Sequence, residues 1–134
     1  MLQKTLAIIK PDAVKKRLIG KIIERIENEG FHITAAKLAH LTVDEAKGFY
    51  AVHREKPFFA PLTNFMASGP VVLMVLEHDN AIARWRDVMG ATDPAKARPD
   101  TLRHAFGFDI QHNAVHGSDS AETAEWEIQY FFKK

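Results

Sequence analysis

The chain has 134 residues, 46% of them hydrophobic and 26% charged, which is typical of a single globular domain spanning residues 1–134. Its 18 basic and 17 acidic residues give a formal net charge of +1, which does not favour delocalised binding along a nucleic-acid backbone. The absence of cysteine excludes disulfides and thiolate metal sites and fits a reducing cytoplasm. The N-terminal apolar run is too short to cross a membrane and lacks a secretory cleavage pattern.

Three segments in the first third of the chain alternate between strand and helix patterns. Residues 6–9 form a short apolar run that a lysine and a proline stop, which is typical of a buried strand. Apolar residues at three- and four-residue spacing over 18–26 predict a helix with one apolar face, ended by Gly30. Residues 31–41 mix apolar and polar positions and predict a second strand.

The next stretch predicts two helical segments. Thr42 and Glu45 match a capping box, in which each side chain bonds the other residue's amide, so a helix should follow to about residue 54. Pro57 should open another short helical segment that runs to about residue 67, because proline suits the first turn of a helix.

The second half of the chain begins with the clearest strand. Residues 71–76 are apolar on both faces, which favours a central position in a sheet. Asp79 can cap a helix that runs to about residue 89. Residues 90–100 carry glycine and prolines without an apolar period, and a loop of this length in a compact domain suggests a function.

The C-terminal part predicts a last strand and a last helix. Residues 110–115 could form the strand, and Asp119 or Ser120 could cap the helix. The inner face of this helix would carry Ala121, Ala124, Ile128 and Phe131. The order of all these elements favours the α+β class, with a split β-α-β arrangement and an antiparallel sheet.

Residues 116–120, His-Gly-Ser-Asp-Ser, carry the strongest chemical signal. An imidazole between a strand and a helix cap would lie at the rim of the sheet, and imidazole is nucleophilic when neutral. One ring nitrogen of His116 could attack while an acceptor holds the other, and Glu127 and Ser118 are candidates for that acceptor. On these residues alone, a structural histidine before an ordinary helix cap stays an open alternative.

Basic residues at three places could meet phosphate. Lys10 follows the first strand directly, and Arg86, Arg98 and Arg103 flank the loop at 90–100. Neither GxxxxGK nor GxGxxG occurs, so phosphate charge would have to be met by side chains and a metal ion. Each of these residues could instead be a solvated surface charge. The seven histidines show no HExxH spacing, so a protein-ligated zinc is not indicated.

The pair Phe58-Phe59 is the aromatic candidate for contact with a nucleotide base. A phenylalanine beside a cleft can stack on any base, because every base has a π-face. The alternative is that both rings belong to the core, and Phe59 is the better candidate for that position.

Taken together, these segments resemble the nucleoside diphosphate kinase family over about residues 4–132. The string Asn-x-x-His-Gly-Ser-Asp at residues 113–119 is highly specific for that family. The matching segments follow one another in the expected order, at residues 8–14, 49–50, 57–59, 68–72, 86–92, 103–107 and 113–120.

The resemblance implies a fold and an activity. The fold would be a ferredoxin-like α/β sandwich, with a four-stranded antiparallel sheet and helices packed around it. The activity would be transfer of the γ-phosphoryl group from a nucleoside triphosphate to a nucleoside diphosphate, which maintains nucleoside triphosphate pools. The mechanism would be ping-pong through a phosphohistidine at His116, with broad base specificity. Mg²⁺ would be the cofactor, held by the nucleotide phosphates rather than by protein ligands.

The resemblance also implies residue roles. His116 would be the nucleophile, with Glu127 and Ser118 orienting it and Tyr50 next to it. The residues that contact the nucleotide phosphates and sugar would be Lys10, Arg86, Thr92, Arg103 and Asn113. Phe58 would stack on one face of the base, with Ile110 near the other face and Leu62 beside it.

The resemblance bears on assembly as well. It implies a cytoplasmic homo-oligomer that uses the long loop for subunit contacts, binds nucleoside di- and triphosphates, and needs neither a membrane nor a specific nucleic acid. The short C-terminus favours a tetramer over a hexamer or dimer, as in bacterial members. The chain departs from the family pattern at Pro61, His78 and Asp100, which affects loop stability and subunit contacts more than the chemistry.

Two other classes of protein are alternatives to this enzyme. A ferredoxin-like module that binds single-stranded nucleic acid would need a basic, aromatic sheet face, and the near-zero net charge argues against it. A catalytically silent interaction protein of the same fold would not need the complete set of site residues that this sequence retains.

Overall fold

Residues 2–132, which the computed structural model describes, contain one antiparallel sheet of four strands. The strands are β1 (Leu2–Ile9), β2 (His32–Ala39), β3 (Val71–Asp79) and β4 (Val115–Gly117). Their order across the sheet is β2-β3-β1-β4, so the two most apolar strands, β1 and β3, lie in the centre. This confirms the four-stranded antiparallel sheet that the resemblance implied.

Helices cover both faces of this sheet. They are α1 (Pro11–Lys15), α2 (Ile19–Asn28), α3 (Val43–Phe49), α4 (Phe59–Met66), α5 (Ala81–Met89), α6 (Leu102–Phe106) and α7 (Ala121–Phe132), with short 3-10 helices at Ala51–His53 and Pro94–Lys96. Helices α1 and α6, each five residues long, were not predicted from the sequence. No helix within residues 2–132 has the length and apolar character needed to cross a bilayer.

Alternation along β1 divides the core into two layers, because successive side chains of a strand point to opposite faces. Ala7 and Ile9 pack with α2 and α5, whereas Leu6 and Ile8 pack with the layer that contains Phe49. On the β4 side, Ile8 pairs with His116. Paired residues share a face of the sheet, so the register places the His116 ring on the Phe49 side.

The predicted capping box is present, but the helix that it starts is shorter than expected. The Thr42 hydroxyl accepts from the Glu45 amide at 3.0 Å, and the Glu45 carboxylate accepts from the Thr42 amide at 2.8 Å. The helix ends at Phe49 rather than near residue 54, and a 3-10 turn follows. Phe49 and Tyr50 are both buried against the sheet, and this tertiary packing ends the helix where no local stop signal exists.

The prediction that Asp79 caps α5 was wrong. Asp79 pairs with Leu2 as the last residue of β3, and the N-cap residue is Asn80, at a φ of 54° and without a side-chain cap bond. Strand pairing with β1 therefore overrides the local preference of Asp79 for a cap position.

The predicted strand at 110–115 was also wrong, because β4 begins only at Val115. The Asp109 carboxylate accepts from the backbone amides of Gln111 and His112 at 3.0 and 2.7 Å. This side-chain-to-backbone turn competes with strand pairing for the same amides. Consequently, His116 lies inside β4 rather than after it.

The final helix is confirmed with one correction. The Ser120 hydroxyl accepts from the Thr123 amide at 3.2 Å, so Ser120 is the cap of α7. Ala124 and Phe131 are buried and Ile128 is partly buried against the core, as expected. Ala121, expected on the inner face, is exposed.

Candidate active site

An open cleft of about 910 Å³ lies where the end of β1, helices α4, α5 and α6 and strand β4 come together. A cleft of this size is typical of small-molecule sites. Ser118 and Glu127 are absent from its lining and lie behind His116. The other residues to which the resemblance assigned roles all line it: Lys10, Tyr50, Phe58, Leu62, Arg86, Thr92, Arg103, Ile110, Asn113 and His116. Arg98 lines it as well, whereas Phe59 packs against the core, as the alternative for that ring expected.

The ring of His116 is held by a carboxylate. Its Nε2 atom lies 3.2 Å from Oε1 of Glu127 on α7. Because an ionised carboxylate only accepts hydrogen bonds, Nε2 carries the proton in the neutral ring and Nδ1 keeps its lone pair. Phe49 packs edge-on against the ring, with 5.4 Å between ring centroids, and further limits its rotation.

Ser118 connects this carboxylate to the central strand. The Ser118 side chain is fully buried, and its hydroxyl donates to Glu127 Oε1 at 2.8 Å. The same hydroxyl accepts from the backbone amide of Leu6 at 3.1 Å. Glu127 Oε1 therefore receives two hydrogen bonds, and its position is tied to β1 as well as to α7.

Trp85, which was not predicted from the sequence to belong to the site, holds the backbone of the same histidine. Its indole Nε1 donates to the His116 carbonyl at 3.1 Å, and its ring is fully buried. A Cβ on Gly117 would lie only 2.5 Å from Trp85 Cδ1. A buried tryptophan on α5 has no sequence signal that distinguishes a partner of His116 from an ordinary core residue.

Lys10 is 6% exposed, and its ammonium donates to Asn113 Oδ1 at 2.8 Å. Burial, and then the positive charge of Arg103, lowers the pKa of Lys10 from 10.5 to about 8, with Asp12 acting in the opposite direction. The Asn113 amide donates in turn to the backbone carbonyl of Thr92 at 2.9 Å. These bonds join the end of β1, the loop and the segment before β4.

Arginines provide further positive charge. Burial, and then the neighbouring Arg86, lowers the pKa of Arg103 to about 10, so Arg103 stays charged at neutral pH. Arg103 donates to the carbonyls of Gly90 and Val115 at 3.0 and 2.9 Å. Arg86 pairs with Asp119 at 2.7 Å in an exposed ion pair. Asp119 was proposed from the sequence as a possible helix cap, but neither its place in the cleft lining nor its pairing with Arg86 was predicted.

Tyr50 lies beside His116, with 6.3 Å between ring centroids. Burial, and then the nearby Glu127 carboxylate, raises the pKa of the Tyr50 phenol, so the hydroxyl stays protonated at physiological pH. It is therefore a neutral donor in the cleft wall.

One end of the cleft is apolar and aromatic. Phe58 is 47% exposed and Ile110 61% exposed, and Leu62 of α4 lines the cleft with them. His53 lies 5.4 Å from the Phe58 ring, and Gln111 also lines this end. Neither His53 nor Gln111 was proposed, and no sequence pattern separates His53 from the other histidines.

The three departures from the family pattern are absent from the cleft lining that the described residues form. His78 packs against Phe31, with 5.1 Å between ring centroids. The backbone carbonyl of Asp100 accepts from Arg25 at 2.8 Å, and Pro61 lies in the first turn of α4. The Pro61 and His78 side chains therefore affect local packing. The Asp100 carboxylate, in contrast, lies 3.5 Å from the guanidinium of Arg98, which lines the cleft.

Comparisons with known proteins agree with this geometry. The nucleoside diphosphate kinase family model matches residues 3–134. Nucleoside diphosphate kinases from Chlamydia abortus and Thiobacillus denitrificans are 59% and 58% identical, and the matches cover 99% and 97% of this chain and 94% and 92% of theirs.

Solved structures of the family share the fold. The Aquifex aeolicus nucleoside diphosphate kinase superposes with a TM-score of 0.97 at 48% identity, covering 99% of this chain and 96% of the other. The Halobacterium salinarum enzyme in complex with CDP gives 0.96 at 40% identity, covering 100% and 90%. These matches confirm the ferredoxin-like α+β fold. With the cleft geometry, they show that this chain belongs to the nucleoside diphosphate kinase family, enzymes of nucleotide phosphotransfer.

Proposed function

We propose that this chain, as one nucleoside diphosphate kinase domain, transfers the γ-phosphoryl group of a nucleoside triphosphate to a nucleoside diphosphate through His116. The observation that carries the proposal is the bond between His116 Nε2 and Glu127 Oε1. It directs the ring proton to Nε2 and leaves the lone pair of Nδ1 for attack. Ser118 supports this arrangement by donating to the Glu127 carboxylate, and Trp85 supports it by donating to the backbone carbonyl of His116.

The reaction has two half-reactions of the same chemistry. Nδ1 of His116 attacks the γ-phosphorus, the bond to the bridging oxygen breaks, and the nucleoside diphosphate leaves with that oxygen's electron pair. A terminal oxygen of a second diphosphate then attacks the phosphohistidine and restores the free ring. Lys10, Arg86 and Arg103 stabilise negative charge on the transferring group, which is what phosphoryl transfer mainly requires.

Broad base specificity follows from the apolar end of the cleft. Phe58 offers a ring face, and Leu62 and Ile110 offer apolar surface, none of which distinguishes one base from another. Lys10, Thr92 and Asn113 would meet the phosphates and sugar that all nucleotides share, and their position in the cleft lining supports this role. The relative from Halobacterium salinarum was solved with CDP, a nucleoside diphosphate of the substrate class proposed here. Such an enzyme would balance nucleoside triphosphate pools.

The cleft fits a magnesium ion carried by the nucleotide. Among residues 2–132, no group of three or more histidine or carboxylate side chains forms a cage for a metal ion. The carboxylates that line the cleft wall are Asp87 and Asp119, and two carboxylates are too few to complete the six ligands of Mg²⁺. Most of a bound ion's ligands would therefore be phosphate oxygens and water, as is usual for Mg²⁺. When bound, the ion would neutralise part of the phosphate charge.

The assembly and location belong to the same proposal. We infer a homo-oligomer, with a tetramer favoured over a hexamer or dimer. The edge position of β2, with Leu38 at 66% exposure, supports association, because an edge strand presents unpaired backbone groups. A cytoplasmic location, without a membrane or a specific nucleic acid as partner, suits the use of nucleoside di- and triphosphates. Multi-angle light scattering measures the oligomer size.

The decisive experiment is isolation of the phosphoenzyme. Incubation with γ-labelled ATP and Mg²⁺, without acceptor, should label the protein in an acid-labile, alkali-stable bond. Addition of any nucleoside diphosphate should remove the label and form the triphosphate. His116→Ala should take up no label, whereas His32→Asn, on the exposed side of β2, should be labelled like the native chain. An unlabelled native chain, or a labelled His116→Ala, contradicts the proposal.

A further inference from the structure

A strained turn lies two residues before His116. The Val115 amide donates to the Asn113 carbonyl at 2.9 Å, and Ala114 between them has a φ of 75°. A hydrogen bond across one residue with this φ defines the classic γ-turn, which is rare and strained for any residue with a Cβ. Residues in such conformations cost free energy and persist only where their surroundings hold them.

The peptide groups on both sides of Ala114 are held by the segment that follows β1. The Lys10 amide donates to the Ala114 carbonyl at 2.9 Å. On the other side, the Ala114 amide donates to Oδ2 of Asp12 at 3.1 Å. Asp12 lies in the first turn of α1, directly after Pro11, so its backbone is itself well defined. This side-chain bond is the link between α1 and the strained turn.

Asp12 also contributes its charge to the cleft. Its second oxygen, Oδ1, is buried and has no hydrogen-bond donor among residues 2–132, an arrangement that costs free energy. The negative charge of Asp12 opposes the lowering of the Lys10 pKa by burial and by Arg103. Asp12 thus contacts the turn by a hydrogen bond and acts on Lys10 through its charge.

We propose that Asp12 is a positioning residue for phosphoryl transfer, whose carboxylate holds the Ala114 turn and thereby places the Asn113 amide and the His116 ring in the cleft. The inference rests on the proposed function. Asp12 itself is outside the cleft lining that the described residues form. It acts through Ala114, and through the bond from Lys10 to Asn113.

Two substitutions separate the hydrogen bond from the charge. Asp12→Asn keeps a side-chain oxygen for the Ala114 amide and should form the phosphoenzyme at close to the native rate at pH 7. Asp12→Ala removes the acceptor, and the single-turnover rate should fall about 100-fold, the size expected for a misplacement of about 1 Å. Asp44→Ala is the matched control, because Asp44 also lies in the first turn of a helix but is exposed. It should leave the rate unchanged.

Because Ala114 is strained, a glycine at this position should restore activity to the Asp12→Ala variant. Glycine adopts positive φ without steric cost, so Ala114→Gly should allow the turn to form without the carboxylate. The double variant Asp12→Ala, Ala114→Gly should therefore recover about 10-fold of the rate lost in Asp12→Ala. The single variant Ala114→Gly, which keeps Asp12, measures the effect of glycine alone. Thermal unfolding of every variant identifies the temperature at which all are folded, and the rates are compared there.

The pH profile provides a readout that a purely structural role would not change. The charges of Asp12 on α1 and Arg103 on α6 act on Lys10. Arg86 on α5 acts in turn on Arg103, and His116 on β4 lines the same cleft. Asp12→Asn removes a negative charge that raises the pKa of Lys10. The alkaline limit of the single-turnover rate should therefore move to lower pH than in the native chain.

The outcomes are distinct. The inference would be overturned by a native rate in Asp12→Ala or by equal losses of rate in Asp12→Asn and Asp12→Ala. It would also be overturned if the double variant recovered no rate, or if the alkaline limit of Asp12→Asn stayed at the native pH. A native chain that forms no phosphoenzyme defeats the proposed function instead, before any Asp12 variant is compared.

Discussion

The indole of Trp85 donates a 3.1 Å hydrogen bond to the backbone carbonyl of His116, on the opposite side of the residue from the bond that Glu127 makes to the ring. The histidine is therefore held both at its main chain and at its side chain. Such double support restricts the ring to one orientation, which a nucleophile needs for in-line attack. Gly117 allows this arrangement, because Trp85 packs directly over its Cα.

Gly117→Ala should damage both stability and activity. The new Cβ would meet Trp85 at 2.5 Å and Met89 at 2.6 Å, and the rigid, buried indole cannot move aside as the methionine tip can. Overpacking of this kind costs about 2 kcal/mol, and displacement of Trp85 releases the His116 carbonyl. Urea unfolding and phosphoenzyme formation measure the two effects.

Gly20→Ala is the matched control for that substitution. Gly20 lies in α2, and a Cβ there would meet no atom within 4 Å. Alanine should stabilise the helix by up to about 1 kcal/mol and leave phosphoenzyme formation unchanged. Equal effects of the two alanines would show that the contact with Trp85 is unimportant.

Ser118→Ala and Glu127→Ala should differ in which property they damage. Without the Ser118 hydroxyl, the buried Leu6 amide loses its acceptor, and the free energy of unfolding should fall by about 1–3 kcal/mol while Glu127 still holds the ring. Without the Glu127 carboxylate, the ring loses its orientation, and phosphoenzyme formation should slow by about 100-fold. Unfolding and single-turnover measurements on both variants test the distinction, and the reverse pattern would contradict it.

The activity should fall as the pH rises through about 8. Lys10 is charged below its pKa of about 8 and neutral above it, so its contribution to phosphate binding is present at neutral pH and lost on the alkaline side. Because kcat/KM reports the free enzyme, its alkaline limb should lie near this value. In the pH profile of kcat, the alkaline limb should lie at higher pH than in that of kcat/KM, since a bound phosphate favours the charged lysine. Lys10→Arg should remove the limb near 8, and a limb that persists there belongs to another group.

Lys10→Met should make the enzyme inactive but more stable at neutral pH. A pKa lowered from 10.5 to about 8 means that the folded state disfavours the charged lysine by about 3 kcal/mol. This penalty is fully present below pH 8 and disappears as the pH rises above 10.5, so the native chain should become relatively more stable over that interval. Loss of the lysine also leaves the buried Asn113 oxygen without its donor, which costs about 1–3 kcal/mol, so the net gain at pH 7 should be about 1 kcal/mol.

Denaturant unfolding at pH 7 and above pH 10 tests this expectation. The difference in the free energy of unfolding between Lys10→Met and the native chain should favour the variant at pH 7 and shrink at the higher pH. A variant that is less stable at pH 7 would show that packing around the ammonium outweighs its desolvation.

Local sequence patterns predicted those parts of the fold that depend on neighbours in the chain. The apolar periodicity of 18–26, the Thr42 capping box and the cap at Ser120 all appear in the structure. The predictions failed where distant pairing competes with a local preference. Asp79 pairs with Leu2 instead of capping a helix, and the side chain of Asp109 takes up amides expected in a strand.

The sequence alone determined the family, and it predicted a candidate nucleophile and most of the residues that line the cleft, because those depend on residue types in a fixed order. Only the tertiary structure decided how these residues act on one another. Pairing of β1 with β4 brings Lys10 to Asn113, 103 positions away, and α7 brings Glu127 to His116. The orientation of the ring, the lowered pKa of Lys10 and the strain at Ala114 follow from burial and contact between distant segments, which no local pattern encodes.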